Sequence, residues 1–356
     1  MQHFPTAIKL STAAGDVRAA ARAWPDRGVG VWLMLICALL VGMILLGGAT
    51  RLTDSGLSIT EWQPLRGAVP PLSGADWESA FRKYQTTAEF RLQNSGMSLD
   101  EFKGIFLWEW AHRFLGRAIG LIFALPMLVF WALGRLRGRV VACLALLILG
   151  GAQGALGWWM VQSGLSARLD VAPLRLALHL GLAFIILGLA ANLALQAMGW
   201  PRRPASLGVH RLWVFGFIFL LFSQILAGAA MAGSDAGRAY TDWPKLGGAW
   251  IPPGYGHFQP FWESLLENHA IVQFHHRMLG YGVAFAGFAL GLLAWRRGAQ
   301  AGRVLGLFLA LGVLGQMLLG ILTLVHGAPL DLSLAHQGGA IALWLLAMAS
   351  LRIAMR

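Results

Sequence analysis

The sequence predicts an all-α integral membrane protein with eight transmembrane helices, arranged as two four-helix bundles related by a pseudo-two-fold axis. The 356-residue chain is 57% hydrophobic and only 12% charged, whereas a soluble domain carries about 25% charged residues. Apolar runs of roughly 20 residues, the length that crosses a bilayer core, recur along the chain. The same polar motifs also occur in the same order in both halves.

Eight apolar runs are long enough to span a membrane. They lie at 30–50, 105–133, 140–162, 173–198, 211–232, 269–295, 303–325 and 332–352. The resulting parts are an N-terminal tail (1–29), a first half with four spans (30–200), a linker (201–210), a second half with four spans (211–352) and a C-terminal tail (353–356).

The net charge of +12 is distributed unevenly between the two sides of the predicted membrane. Basic residues dominate the tails and the loops on one side, while the loops on the other side hold similar numbers of basic and acidic residues. This is the positive-inside pattern, which predicts that both termini are cytoplasmic, or on the matrix side if the protein is mitochondrial. The basic surplus is therefore interpreted as a topology signal and a contact with anionic lipid, and not as a nucleic-acid-binding surface.

An internal repeat organises the chain. Residues 47–71 match 228–252, and residues 109–116 match 273–280. The series Gln153, Gly157, Gly164 and His179 matches the series Gln316, Gly320, Gly327 and His336. Because four spans separate the copies, both have the same orientation, and the predicted two-fold axis runs along the membrane normal.

The first outer loop, over 51–104, is long for a segment without secondary structure. It contains two capping boxes, Ser73-x-x-Asp76 and Ser98-x-x-Glu101, which are typical of helix N-termini. We therefore expect two short amphipathic helices in this loop, with the second continuing into the span at 105–133.

Four histidines occupy matching places in the repeat: His112 and His179 in the first half, and His276 and His336 in the second. Each lies near the outer end of a predicted span, so the two histidines of each half share a depth on separate helices. Two imidazoles on opposing helices suit a haem iron. Zinc is less favoured, because it requires more converging ligands. The alternative is that each histidine is a buried, hydrogen-bonded core residue.

Glu109 lies one helical turn before His112, whereas the matching residue before His276 is Gln273. A carboxylate at the edge of the membrane is a candidate functional group because its burial is unfavourable. We therefore expect a reactive site in the first half and a passive site in the second. The alternative is that Glu109 only forms an ion pair with Arg113.

Four arginines near these positions are candidate partners for the carboxylates of a haem. They are Arg51, Arg113, Arg175 and Arg277. A guanidinium binds a carboxylate through two parallel hydrogen bonds. The alternative is that these side chains extend to the outer interface.

The motifs resemble those of the heme A synthase family. The resemblance rests on Glu109-Trp-Ala-His112-Arg113, on Gln273-Phe-His-His276-Arg277, on the stretch at 47–58 followed by Glu61-Trp62, and on the duplicated plan. It covers about 30–352. The chain is similar to the subgroup that lacks a cysteine pair in the first outer loop, since its two cysteines, Cys37 and Cys143, fall within predicted spans.

The resemblance implies oxidation of the C8 methyl group of heme O to the formyl group of heme A, with water as the oxygen source. It implies that His112 and His179 face the substrate haem, that His276 and His336 ligate a haem b, and that Glu109 is the essential glutamate. The subgroup is shared by proteobacteria and mitochondria, and the short N-terminal tail, which does not resemble a transit peptide, favours a bacterial inner membrane. Three protein partners are compatible with this function: heme O synthase, assembly factors of cytochrome c oxidase, and a second copy of the chain.

Two other functions explain part of the pattern. A di-haem b-type electron-transfer cytochrome accounts for the four histidines but not for the difference between Glu109 and Gln273. A transporter with a site between the repeats would function without haem.

Overall fold

The computed structural model describes residues 25–63, 66–166, 168–201, 206–253, 255–256 and 260–354. Regular structure in these residues is helical apart from isolated β-bridges. Most of the predicted N-terminal tail, the middle of the predicted linker and the end of the C-terminal tail lie outside the described residues.

Eleven α-helices occur in the described part of the chain. They are α1 (Arg27–Leu52), α2 (Gly74–Tyr84), α3 (Ala88–Leu92), α4 (Leu99–Ala132), α5 (Val140–Gly164), α6 (Pro173–Ala197), α7 (Arg211–Gly233), α8 (Phe261–Glu267), α9 (His269–Arg297), α10 (Gln300–Val325) and α11 (Leu330–Ile353). All but α2, α3 and α8 are long and apolar enough to cross a membrane. The eight predicted spans are thus confirmed, and the chain is a multi-pass membrane protein.

The largest difference from the predicted bounds is at α4, which begins at Leu99 because the Ser98 capping box starts the helix before the apolar run begins. The other predicted loop helix is α2, whose capping box is also formed. A third helix in this loop, α3, was not expected. Thr87 caps it by accepting a hydrogen bond of 3.2 Å from the backbone N–H of Phe90.

The helices of each half pack against one another, and several of them also contact the other half. In the first half, α1 packs against α4 and α6, and α6 packs against α5. In the second half, α9 packs against α7 and α10, and α10 packs against α11. Contacts between the halves join α6 to α7 and α11, and α1 to α11. The division into two bundles around a pseudo-two-fold axis stays a prediction.

Arg51 connects the two halves on the outer side. Its guanidinium lies 2.8 Å from Asp54, 2.7 Å from Asp235 and 3.3 Å from Asp170. Asp54 and Asp235 are repeat equivalents, and both adopt a left-handed backbone, with φ of 48° and 54°. The repeat position of Arg51 is Ala232, so one arginine serves both aspartates.

On the inner side, Asp26 fixes the start of α1. Its carboxylate caps the helix by accepting a hydrogen bond of 3.1 Å from the N–H of Val29. It also accepts two hydrogen bonds, of 2.8 and 2.6 Å, from Arg135 in the loop between α4 and α5. The hydrogen bond from Arg135 is the main reason that the pKa of Asp26 falls to about 2.

Candidate functional site

The helices enclose a cavity of about 1530 Å³ that extends through both halves. This exceeds the roughly 300–1,000 Å³ of a typical small-molecule site. The residues that line it include the four predicted histidines, His112, His179, His276 and His336, together with Glu109. The structure therefore brings the histidines and the carboxylate to one cavity, although they come from four different helices.

Each of the four histidine rings lies against the backbone of a glycine on a neighbouring helix. A Cβ atom added to these glycines would lie 2.8–3.1 Å from ring carbon Cε1, so each ring would have to shift to make room for it. The pairs, with the distance from the added Cβ to Cε1, are Gly47 and His112 (2.8 Å), Gly157 and His179 (3.0 Å), Gly228 and His276 (3.1 Å), and Gly320 and His336 (2.8 Å). The glycines are themselves repeat equivalents, so this packing is duplicated with the motifs.

Two matching glutamines hold the histidines of α6 and α11. The Nε2 group of Gln153 donates to the carbonyl oxygen of His179 over 3.0 Å, and that of Gln316 donates to the carbonyl oxygen of His336 over 2.8 Å. The same amide nitrogens lie 3.2 and 3.1 Å from Nδ1 of the respective rings. These contacts restrict both the helix position and the rotation of each ring.

The two other histidines have different neighbours in the two halves. Nε2 of Gln224 lies 3.3 Å from Nε2 of His276. The repeat position of Gln224 is Met43, so His112 has no matching amide. The second half therefore has an additional polar contact at its histidine pair, and the first half has a thioether there.

The second half has the dimensions expected for an iron held by two imidazoles. The ring centres of His276 and His336 are 6.5 Å apart, and the ring planes are inclined by 76°. Two metal–nitrogen bonds of about 2 Å each, plus the radii of the rings, require ring centres about 6–7 Å apart. Oε1 of Gln224 and of Gln316 is also buried without a hydrogen-bond partner. The spacing of the two rings and the apolar cavity around them fit a haem.

Glu109 is 3% exposed and is held by three donors. Its Oε1 accepts a hydrogen bond of 2.6 Å from Arg113. Its Oε2 accepts hydrogen bonds of 2.7 Å from the hydroxyl of Ser58 and of 2.7 Å from the backbone N–H of Ile59. The ion pair with Arg113 does form, but the carboxylate also lines the cavity, so it is an oriented anionic group within reach of a ligand.

Gln273 donates a hydrogen bond to the backbone of its outer loop, whereas Glu109 accepts one from the equivalent loop of the first half. Its Nε2 group donates to the carbonyl oxygen of Tyr240 over 2.9 Å. Tyr240 is the repeat equivalent of Ile59, whose N–H donates to Glu109. Gln273 is fully buried, and its Oε1 lies 3.3 Å from Arg277. The sequence difference between the halves is thus matched by hydrogen bonds of opposite direction.

The four predicted arginines all line the cavity, and each also binds protein groups. Arg113 donates to the carbonyl oxygens of Ile59 and Glu61. Arg277 donates to the carbonyl oxygens of Lys245 and Tyr240. Arg175 donates to the carbonyl oxygen of Trp159 over 2.6 Å and stacks on its ring, and Arg51 contacts the three aspartates described above. Their interaction with a haem stays a prediction.

Sequence reasoning did not find Ser58, Gln224 or the role of the histidine-supporting glycines. The glycines were visible as repeated residues, but nothing in the repeat indicates which ring each one contacts. His275, the residue before His276, does not join the histidine pair, because its Nε2 lies 2.8 Å from the hydroxyl of Tyr255.

The chain is similar to known proteins over almost its full length. The COX15-CtaA family, described as cytochrome oxidase assembly protein, matches residues 30–348. The heme A synthase of Maricaulis maris is 50% identical over 335 residues, which cover 93% of this chain and 97% of that protein. The heme A synthases of Azorhizobium caulinodans and Paracoccus denitrificans are 47% and 45% identical, over 90% and 94% of this chain and 93% and 90% of their own lengths.

Proposed function

The chain belongs to the COX15-CtaA family, and on this premise we propose that its two halves divide the work of an oxidoreductase that converts heme O to heme A. This division rests on one observation: the repeat position that holds Glu109 in the first half holds Gln273 in the second, although the surrounding sites match. The first half, over 30–200, binds and oxidises the substrate. The second half, over 211–352, holds a resident haem b.

In the first half, the substrate haem lies between His112 and His179. Both rings line the cavity beside Glu109. The glycines behind the rings, Gly47 and Gly157, fix where the imidazoles are presented. Arg113 and Arg175 also line this part of the cavity, and we assign them to the propionates of the substrate.

Glu109 provides the negative charge for the reaction. Oxidation of the C8 methyl group to a formyl group, with oxygen taken from one water, removes about four protons and four electrons, and the electrons pass to an external acceptor. A fixed carboxylate accepts a proton from the attacking water and stabilises positive charge on the substrate. Ser58 and Arg113 act as positioning residues, because they hold the two carboxylate oxygens of Glu109.

In the second half, His276 and His336 would hold haem b through their ring nitrogens. When bound, this group supplies one-electron transfer. Gln316 orients the imidazole of His336 through its contact with Nδ1, and Gln273 keeps this site without a carboxylate. Arg277 and Arg51 are assigned to the haem carboxylates at the outer side.

The basic inner loops support an orientation with both termini in the cytoplasm. The similarity to bacterial heme A synthases supports a bacterial inner membrane as the location. Heme O synthase is the natural supplier of the substrate, and assembly factors of cytochrome c oxidase are the natural recipients of the product. Self-association would use the small-residue faces of the spans.

Analysis of extracted haems tests the role of Glu109. Glu109→Gln preserves the size of the side chain, and we expect it to lower heme A output about a hundredfold while heme O accumulates. The matched control is Glu78→Gln, because Glu78 is an exposed carboxylate on α2. Unchanged heme A output in the Glu109 variant would refute the assignment.

Absorbance of the purified protein tests the resident haem. His276→Ala and His336→Ala should each remove the low-spin b-type spectrum. The control is His326→Ala, since His326 is exposed at the end of α10. A spectrum that persists in both variants would move the cofactor to other ligands.

A further inference from the structure

The two halves differ in how their second and third spans meet. In the second half, the backbones of α9 and α10 are in direct contact. A Cβ atom on Gly291 would lie 2.5 Å from the carbonyl oxygen of Gly306, and one on Gly306 would lie 2.5 Å from the carbonyl oxygen of Gly291. Both glycines are buried. Small residues allow this close approach, and the contact closes the seam between the two helices.

In the first half, the repeat places larger residues at the same positions on α4 and α5. Met127 takes the place of Gly291, and Cys143 takes the place of Gly306. Both side chains are buried, with 2% and 0% exposure, and both are bulkier than the glycines that allow the backbones to touch in the other half. The two helices consequently cannot approach as closely.

Above this crossing, toward the outer side, the seam of the first half is open. Gly120 on α4 and Gly150 on α5 are both exposed, and a Cβ atom on either would meet nothing within 4 Å. Their repeat equivalents, Ala284 and Val313, are 6% and 2% exposed. The same stretch of helix is therefore closed in the second half and accessible in the first.

This opening joins the candidate catalytic cavity. Gly120, Gly150, Gly154 and Leu147 all line the cavity that contains His112. Leu147 is 38% exposed, whereas its repeat equivalent is a buried alanine. Gly120 lies about 12 Å along the helix axis from His112 toward the inner side, which places the opening at the depth of the hydrocarbon core and away from the outer interface.

We propose that the gap between α4 and α5 is a lipid-facing passage that admits the substrate and holds its isoprenoid tail. The inference rests on the proposed function, because heme O carries a farnesyl-derived chain. Such a chain is favourably placed in hydrocarbon, while the propionates remain near the arginines at the outer side. The closed seam of α9 and α10 suits a cofactor that stays bound. The open seam of α4 and α5 suits a substrate and a product that must exchange.

A size series at Gly150 tests the passage. Gly150→Ala, Gly150→Leu and Gly150→Phe add bulk where nothing lies within 4 Å, so the fold has room for them. Heme A output should fall with side-chain size, by at least about tenfold for phenylalanine. The matched control is Gly42→Leu, since Gly42 on α1 is exposed with open space around it and does not line the cavity. Retention of the b-type spectrum reports that each variant is folded.

Binding separates a blocked passage from a damaged active site. Titration of purified Gly150→Phe with heme O should show affinity at least about tenfold weaker than wild type. Titration with protohaem, which lacks the tail, should change by less than about twofold. Equal losses for both haems, or none for either, would overturn the proposal. Wild-type protein that makes no heme A would contradict the proposed function, whereas wild-type and Gly150→Phe proteins that make it equally well would contradict only the passage.

Discussion

The backbone of Gly320 on α10 supports the imidazole of His336 on α11. A Cβ atom at Gly320 would lie 2.8 Å from Cε1 and 3.4 Å from Nδ1 of that ring. Gln316 lies one helical turn earlier on α10, and its side-chain amide nitrogen contacts Nδ1 of the same ring. The direction in which His336 presents its free nitrogen is therefore set by α10, although the histidine belongs to α11.

Gly320→Ala should consequently displace His336 and weaken the resident haem. We expect haem affinity to fall about tenfold, as for other groups that orient a metal ligand. The spectrum of the purified protein and its haem content per chain measure the effect. Gly315→Ala is the control, because Gly315 on the same helix has nothing within 4 Å of an added Cβ. Equal haem contents in the two variants would contradict the supporting role.

Gln273→Glu should destabilise the second half and should not create a second active site. The new carboxylate would face the carbonyl oxygen of Tyr240, to which the amide now donates. We expect a loss of about 1–3 kcal/mol in the free energy of unfolding, since two acceptors would be buried together. Thermal unfolding in detergent provides the measurement. Gln273→Leu, which removes the donor without adding charge, should lose less. A Gln273→Glu variant as stable as wild type would contradict this prediction.

Removal of Arg51 should loosen the contact between the halves. Arg51→Ala leaves Asp54, Asp170 and Asp235 without their shared cation, and we expect a loss of about 2–4 kcal/mol. Burial already raises the pKa of Asp170, so this carboxylate tolerates the loss poorly. The comparison is Arg238→Ala, whose side chain is 49% exposed and 3.9 Å from Asp235. Similar melting temperatures for both variants would argue against a central role of Arg51.

Glu89 in the outer loop should make stability depend on pH. Glu89 is 3% exposed, and burial raises the pKa of its carboxyl group from the ordinary value of 4.5 to about 8. The folded protein therefore holds this proton more tightly than the unfolded chain. The contribution to stability is complete below pH 4.5 and is lost as the pH rises through about 8. Glu89→Gln should flatten this part of the melting-temperature profile, and an unchanged slope would assign it to another group.

The sequence was sufficient to predict the eight spans and the two helices of the first outer loop that begin with capping boxes. A bilayer permits only closed helices or barrels, so long apolar runs have few alternatives, and the two capping boxes mark where α2 and α4 begin. The short helix α3 was missed because Ala88–Leu92 is too brief to show a periodic pattern.

The histidines and Glu109 were also found from the sequence, because duplication made them stand out. Their supports were not. The contact of Gly47 with His112 depends on how α1 and α4 rotate about their axes, and the contact of Arg51 with Asp170 joins segments that are far apart in the chain. The gap between α4 and α5 is invisible in the motifs, since it follows from bulk at Met127 and Cys143.

The single arginine at the junction bears on the origin of the chain. In a symmetric pair of identical polypeptides, every residue occurs twice, so the aspartates that meet there would face either two guanidinium groups or none. Ala232 stands where the duplicate of Arg51 would be. An unshared cation of this kind requires that the two copies mutate independently, and a chain that contains both copies allows this.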